Sequence, residues 1–215
     1  MVFILQNENS IANQFLSELR DRHIQQDRLR FRVNMERLGS IMAYEVSRQL
    51  EYETKSIHTP LQKTTLRVLK QQPVLLTILR AGIPYFTGFQ KFFDQADCGF
   101  IGAYRNEGQD ALAINLEYIA IPPLEGRDVI LIDPMLATGS SITKAIEAIK
   151  QWGIPKRIFI ACVVAAPEGL DYLNKNLAIP HSIWCAAVDE KLNHQLYIVP
   201  GLGDAGDLSF GNKNN

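Results

Sequence analysis

From Val129 the chain reads Val-Ile-Leu-Ile, then Asp133, then a string of small and hydroxyl-bearing residues. Ala137, Thr138, Gly139, Ser140 and Ser141 are slight enough for main-chain N–H groups to approach an anion closely. Their hydroxyls add donors, and a helix opening at that point adds partial positive charge. The string therefore reads as a phosphate cradle. Asp133, at the carboxyl end of the apolar run, is placed to accept hydrogen bonds from a sugar's hydroxyls. The same residue types also build an N-cap and a tight strand-to-helix turn that hold no ligand. The cradle is not a Walker loop, because the lysine and the glycine spacing of that motif are missing.

Two arginines follow apolar runs in the same way. Arg80 stands in Thr77-Ile-Leu-Arg-Ala-Gly-Ile83, and Arg105 follows Cys98–Tyr104. In an open α/β sheet the carboxyl ends of the strands form the ligand crevice, where forked guanidinium groups can meet a diphosphate. Taken one at a time, such arginines are also ordinary solvated charges. A third segment, Gly201-Leu-Gly-Asp-Ala-Gly206, matches a dinucleotide fingerprint letter for letter. It lacks the strand before it and the βαβ unit after it that the fingerprint requires, so the match is false. A glycine-rich turn of this kind can still bring backbone close to a flat ligand while Asp204 and Asp207 supply charge, or it can be a plain surface turn.

The elements that must position these residues are visible in the patterning. Residues 10–53 contain no Pro and one Gly, with Ile11, Phe15 and Leu19 spaced by four, which predicts helix. After Pro73 the texture changes to short branched apolar runs at Val74–Leu79, Cys98–Tyr104, Val129–Ile132, Arg157–Val164 and Ser182–Val188, which predict buried strands. Ile142, Ala145, Ile146 and Ile149 predict an amphipathic helix stopped by Gly153, and Pro167 opens another helix before the fifth run. Strands alternating with helices give an α/β fold with a mainly parallel central sheet flanked by helices. The expected layout is one domain over 1–215. Residues 1–60 form a helical N-terminal region, 105–121 a loop or projecting hairpin, and 197–212 a ligand-binding segment.

Composition narrows the partners. The 215 residues are 47% hydrophobic and 21% charged, within the globular range, and 22 basic against 23 acidic residues leave a net charge of −1. Such a chain has no overall field for a nucleic acid, so any anion is held locally. Arg20, Arg22, Arg28, Arg30, Arg32 and Arg37 cluster, but Asp21, Asp27 and Glu36 interleave and no aromatic stacking set accompanies them. The cluster is read as a solvated helix face. Three cysteines without a C-x-x-C pair predict neither disulfides nor zinc, with Cys162 and Cys185 as small core residues, and the four histidines have no ligand spacing. No apolar run nears the roughly 18 residues of a membrane span, so a cytoplasmic setting without membrane contact is expected.

Three of these segments together carry a resemblance. Asp133-Pro-Met-Leu-Ala-Thr-Gly-Ser-Ser141 resembles the phosphoribosyl-diphosphate loop of uracil phosphoribosyltransferases. Leu79-Arg-Ala-Gly82 is similar to their diphosphate loop, and Tyr197-Ile-Val-Pro-Gly-Leu-Gly-Asp-Ala-Gly-Asp207 to their uracil-binding segment. Gly102-Ala-Tyr-Arg105, Ala165-Ala-Pro-Glu-Gly169 and Asp189-Glu-Lys-Leu-Asn193 extend the likeness to nearly the whole chain.

The resemblance implies the fold of type I phosphoribosyltransferases and a reaction in which uracil and 5-phospho-α-D-ribose 1-diphosphate (PRPP) give UMP and diphosphate. Mg²⁺ would travel with the PRPP rather than on a protein cage. By the same resemblance Asp133, Pro134, Met135, Leu136, Ala137, Thr138, Gly139, Ser140 and Ser141 hold PRPP, with Arg80, Arg105 and Asp204 carrying catalysis beside it. Ile198, Gly203, Asp204 and Ala205 meet uracil. A homodimer or larger homo-oligomer and GTP as an effector also follow from the family. The chain departs from the family pattern at Ser140, usually a second glycine, at Leu208 and Asn212, usually arginine and threonine, and across 106–121. A position needing positive φ would strain Ser140. The alternative is a catalytically weak relative that senses PRPP or nucleotides, or binds RNA through the arginine cluster.

Overall fold

The computed structural model of the chain describes residues 1–105 and 114–212, with backbone alone for 103–105 and 114–117. In chain order its elements are β1 (Val2–Ile4), α1 (Ile11–Arg20), α2 (Arg28–Ser47), β2 (Tyr52–His58), β3 (Lys63–Leu69), β4 (Val74–Leu79), α3 (Ile83–Gln90), β5 (Cys98–Arg105) and β6 (Ile114–Ala120). There follow β7 (Asp128–Ile132), β8 (Met135–Leu136), α4 (Ser140–Ile149), β9 (Arg157–Ala165), α5 (Pro167–Asn176), β10 (His181–Val188), β11 (Lys191–Leu192), β12 (Ile198–Val199) and α6 (Ala205–Phe210).

The five apolar runs form the middle of one sheet in the order β10-β9-β7-β4-β5, all parallel, with β1 parallel at one edge and β6 antiparallel at the other. A parallel sheet has no solvent face, so each strand is apolar on both sides and alternate residues enter different cores. Leu75, Ile130, Ile132, Phe159, Ala161 and Trp184 pack against α1, α2 and α3, while Leu76, Val129, Leu131, Ile158, Ile160 and Ile183 pack against α4 and α5. The expected mainly parallel sheet with flanking helices is the one observed. The helix expected around Ile142 buries all four residues of its apolar stripe.

The N-terminal region differs from its expectation as a helical stretch over 1–60. Residues 2–4 pair with β10 as an edge strand, helix ends at Ser47, and residues 52–58 pair antiparallel with 63–69 in a separate two-stranded sheet. Tyr52-Glu-Thr-Lys-Ser-Ile-His is exposed along almost its whole length, so no buried stripe announces it as a strand. In α1 Leu19 of the expected stripe is buried and Phe15 half-buried against the core, Ala12 and Leu16 join them, and Ile11 is exposed. Of the segment 105–121, Arg105 ends β5 and residues 114–120 run back along it as β6; residues 106–113 lie outside the described residues.

One buried polar network joins α1 to α2. Glu18 accepts hydrogen bonds from Arg30 Nε at 2.7 Å and Nη2 at 2.8 Å, from Asn34 Nδ2 at 2.7 Å and from Gln14 Nε2 at 3.1 Å. The bonds from Arg30, then Asn34 and Gln14, hold its carboxyl at about 2, below the ordinary 4.5. A carboxyl whose folded value is depressed stabilises above its unfolded value and loses that contribution as pH falls toward the folded one. Glu18→Ala is therefore expected to destabilise by about 1–3 kcal/mol at neutral pH, since Asn34 Nδ2 loses its acceptor in the core. The difference from the unsubstituted protein shrinks between about pH 4.5 and pH 2. Urea unfolding of both at pH 7 and pH 3 measures it; a gap as wide at pH 3 as at pH 7 contradicts the network's role.

Candidate active site

The order of the strands fixes where a ligand crevice opens. From β4 the chain proceeds outward to β5, then returns to the other side of β4 with β7 and continues outward through β9 and β10. β4 and β7 thus flank the topological switch point, and the loops leaving their carboxyl ends border the crevice. Those loops begin at Arg80 and Asp133. Thr77 and Ile132 are register partners across the switch point, tied also by Thr77 Oγ1 donating to the Ile132 carbonyl at 3.2 Å.

After β7 the backbone of 133–141 curls over the end of β9. The Val163 and Val164 N–H groups donate to the Pro134 carbonyl at 2.9 and 3.1 Å, and Ala166 N–H donates to the Leu136 carbonyl at 2.9 Å. Asp133 accepts from Met135 N–H at 3.3 Å and Thr138 Oγ1 from Ser140 N–H at 3.3 Å. Met135, Leu136, Ala137, Thr138, Gly139, Ser141 and Ile142 line a niche of about 20 Å³ against the first turn of α4. The N–H groups of that first turn have no helical partner and are of the kind that can meet an anionic oxygen. The left-handed residue here is Gly139, at φ 80, which caps the helix. Ser140 is the first helical residue and its φ is not positive. The departure from a second glycine therefore carries no backbone strain, because the demand falls on the glycine that is kept.

Arg80 follows β4 through a cis peptide bond after Leu79. Its Nη2 donates to Asp207 Oδ1 at 2.9 Å and to the Gly211 carbonyl at 2.7 Å, so the loop after β4 is joined to α6 and to the residue that ends it. Arg80 Nε is buried without a hydrogen-bond partner among the described residues. Asp204 caps α6 by accepting from Asp207 N–H at 2.9 Å. A Cβ placed on Gly206 would lie 3.1 Å from Asp204 Oδ1 and 3.8 Å from Arg80 Nε, so the guanidinium and the carboxylate border the same glycine. Arg105 ends β5, and its side chain lies outside the described residues.

Ile198 opens β12, Gly203 and Asp204 lie in the connection that follows, and Ala205 opens α6. Val199–Pro200 is a second cis bond, and Gly201 and Gly203 take φ 64 and 91. Gly203 and Asp204 line an open cleft of about 430 Å³ whose other walls include Gln25, Arg28, Leu208 and Asn212. Leu208 and Asn212, the departures from the family ending, thus face this cleft rather than the niche. The cleft and the phosphate niche are separate concavities, linked through β4, Arg80 and α6 rather than merged.

Several residues that organise the site were given other readings in the sequence. Arg20 forms a forked pair with Asp189, its Nη1 and Nη2 donating at 2.9 and 2.6 Å, and Asp189 also accepts from Gly201 N–H at 2.7 Å. Arg32 donates to the Ser209 carbonyl at 2.7 Å, Arg30 meets Glu18, and Arg37 donates to Asn34 at 3.0 Å over the ring of Phe15. Of the arginine cluster read as a solvated face, Arg22, Arg28 and Arg30 are exposed, while Arg20 and Arg32 turn inward to carbonyls of the C-terminal segment.

The family model described as uracil phosphoribosyltransferase matches residues 6–212. The chain belongs to the uracil phosphoribosyltransferase family. A uracil phosphoribosyltransferase of Porphyromonas gingivalis is 45% identical over 208 residues, covering 96% of each chain. One of Malacoplasma penetrans is 46% identical over 196 residues, 90% of this chain and 93% of its own. Among solved structures, the AQ2163 protein of Aquifex aeolicus superposes with a TM-score of 0.87 at 30% identity, covering 98% of both chains. TT1426 of Thermus thermophilus, at 16% identity and a TM-score of 0.51 over 75% of this chain and 86% of its own, shares the fold. Among the described residues no helix is long and apolar enough to cross a membrane.

Proposed function

We propose that the protein transfers the phosphoribosyl group of PRPP to uracil, giving UMP and diphosphate, with the site residues in the following roles. The observation that supports the reading is that Arg80 and Asp204 both border Gly206, so that the loop after β4 lies against the start of α6. The main chain of Ala137–Ser141 holds the 5-phosphate at the N-terminus of α4, with Pro134, Met135 and Leu136 shaping the loop beneath it, and Asp133 orients the ribose hydroxyls. The C–N bond to uracil forms as the C–O bond to diphosphate breaks, the electron pair leaves with diphosphate, and the base's N–H proton is released. Arg80 and Arg105 stabilise the leaving charge, so catalysis is chiefly electrostatic and positional.

Uracil presents an acceptor–donor–acceptor edge, which backbone groups of Ile198, Gly203 and Ala205 match. Cytosine's amino group would set a donor against a fixed donor, an uncompensated desolvation of about 1–3 kcal/mol.

Among the described residues no three His, Cys, Asp or Glu side chains converge as a metal site. Mg²⁺ keeps waters and binds through substrate phosphates with one or two carboxylates, and Asp204 would be its carboxylate here. When bound it would neutralise charge on the leaving group. A homo-oligomer belongs to the same reading: β2 and β3 form an isolated two-stranded sheet with Leu61 and Leu66 exposed, and such a ribbon is stabilised by a cover. So does a cytoplasmic setting, in keeping with the free thiols of Cys98, Cys162 and Cys185.

UMP formation by the purified protein from PRPP and Mg²⁺ is to be measured with uracil, cytosine, hypoxanthine and orotate, each with and without GTP. Turnover with uracil alone is expected. Turnover with another base, or with none, overturns the reading, and a GTP-dependent rate decides the effector.

A further inference from the structure

Recognition through backbone groups leaves no side chain to aim, so its selectivity is only as good as the rigidity of the turn that carries it. In the turn of residues 200–203 Leu202 is buried in the core, but the hydrogen bonds that hold the backbone all fall on one residue. Upstream, residues 197–199 are fixed by main-chain bonds, Tyr197 and Val199 carbonyls accepting from Asn193 and Glu190 N–H at 2.9 and 3.1 Å. Downstream, α6 is fixed by the Asp204 cap and by Arg80 and Arg32. Between them, Pro200, Leu202 and Gly203 make no hydrogen bond among the described residues. Gly201 makes two, its N–H donating to Asp189 Oδ2 at 2.7 Å and its carbonyl accepting from Arg20 Nη1 at 3.1 Å.

These two partners are themselves immobilised. Asp189 follows β10 and its own N–H donates to the Ala165 carbonyl at the end of β9 at 2.8 Å. Its side chain is only 4% exposed, and both carboxylate oxygens are engaged by the forked guanidinium of Arg20 from α1. Arg20 Nη1 is shared between Asp189 and Gly201, which closes a ring of charge-assisted bonds. Gly201 must stay where it is put: at φ 64 its Cβ would lie 2.2 Å from the Ile198 carbonyl oxygen, so the backbone comes too close for any side chain.

We infer that Arg20 and Asp189 are positioning residues for base selectivity, clamping Gly201 to the end of the sheet so that the backbone groups of Ile198, Gly203 and Ala205 keep a fixed spacing. The inference rests on the base-binding role proposed above for 198–205. A donor facing cytosine's amino group excludes it only if the donor cannot turn away. Loosening the clamp lets the turn relax, which weakens uracil binding and softens the exclusion of cytosine while leaving the phosphate loop, on the other side of β9's end, undisturbed.

Arg20→Lys, Arg20→Ala and Asp189→Asn are compared with the unsubstituted enzyme for kcat, for KM of uracil and of PRPP separately, and for inhibition by cytosine. Each variant is first checked for folding by thermal melting. The expected result is a rise of about 10-fold in the uracil KM, with the PRPP KM within about 2-fold, and a similar gain of cytosine on uracil. Arg20→Lys, which keeps the charge but not the fork, should fall between the unsubstituted enzyme and Arg20→Ala. A general structural defect moves both KM values or kcat alone, and either pattern, or no change, overturns the clamp. Asp189→Asn alters a buried group; should it not fold, Arg20→Lys decides, its side chain being 22% exposed. If none of the three folds, the pair serves the fold and not selectivity. An unsubstituted protein that makes no UMP refutes the base-binding reading itself, a result seen without any variant.

Discussion

Arg80→Ala is expected to lower kcat/KM for PRPP by about 100- to 1000-fold, the scale of removing one donor aimed at developing negative charge. The geometry gives the reason. Only Nη2 of the guanidinium has partners among the described residues, and Nε is buried without one. A desolvated donor with no acceptor is an unfavourable arrangement that a diphosphate oxygen would relieve. The ion pair with Asp207 does not compete strongly, since its side chains are 33% and 37% exposed and such pairs contribute about 0–1 kcal/mol. Arg80→Lys is expected to recover little, because an ammonium cannot donate in a fork. Arg80 also ties α6 to the loop after β4, and loss of that tie alone would look like loss of catalysis. Asp207→Asn separates the two: it removes the charge of the tie while keeping an acceptor, and should change the PRPP kinetics by less than about 5-fold. Unchanged PRPP kinetics in Arg80→Ala would remove the diphosphate role.

What could be read in the sequence follows from where each signal is stored. The central strands are continuous apolar runs because a parallel sheet buries both faces, and the ends of β4, β7, β9 and β10 fall within a residue or two of the runs that predict them. The order of those strands is a property of connections and is not written in any run. The β2–β3 ribbon is hidden because neither face enters a core, leaving polar sequence without the alternation that marks a half-buried strand. The phosphate loop and the glycine turn are legible because each is a short contiguous stretch. The ties that aim them are not: Arg20 and Asp189 are 169 residues apart, Arg32 and Ser209 177, and Arg80 and Asp207 127. A single sequence carries no mark of such pairings, and charges that bind carbonyls in the fold look the same as charges that face water.

Ser140 and Asp204 illustrate opposite ways in which a residue's type misleads. Ser140 departs from the family pattern yet occupies ordinary helical backbone, so its effect is confined to its side chain at the edge of the niche. Asp204 keeps the pattern, but one of its oxygens already has a structural task as the cap of α6.

Turnover is expected to fall by about 1000-fold in Asp204→Asn, and this variant rather than Asp204→Ala isolates the charge. Asparagine caps helices about as well as aspartate, whereas alanine in that position costs about 1 kcal/mol and frees a six-residue helix that carries Asp207 and precedes Gly211, both bonded to Arg80. Asp204→Ala therefore mixes loss of a carboxylate with loss of the Arg80 contact. In the folded enzyme Oδ1 accepts from Asp207 N–H and Oδ2 accepts nothing among the described residues, so one oxygen remains for the reacting groups in the cleft that Asp204 lines. As diphosphate departs the ribose gains oxocarbenium character, and a fixed carboxylate beside it stabilises that charge without reorganising. Thermal melting within a few degrees of the unsubstituted protein, together with a collapse in kcat, is the expected pair of results for Asp204→Asn. Near-normal kcat/KM in Asp204→Asn with a loss confined to Asp204→Ala would make Asp204 a cap and nothing more, and the positive charge of the transition state would then have to be met by Asp133 alone.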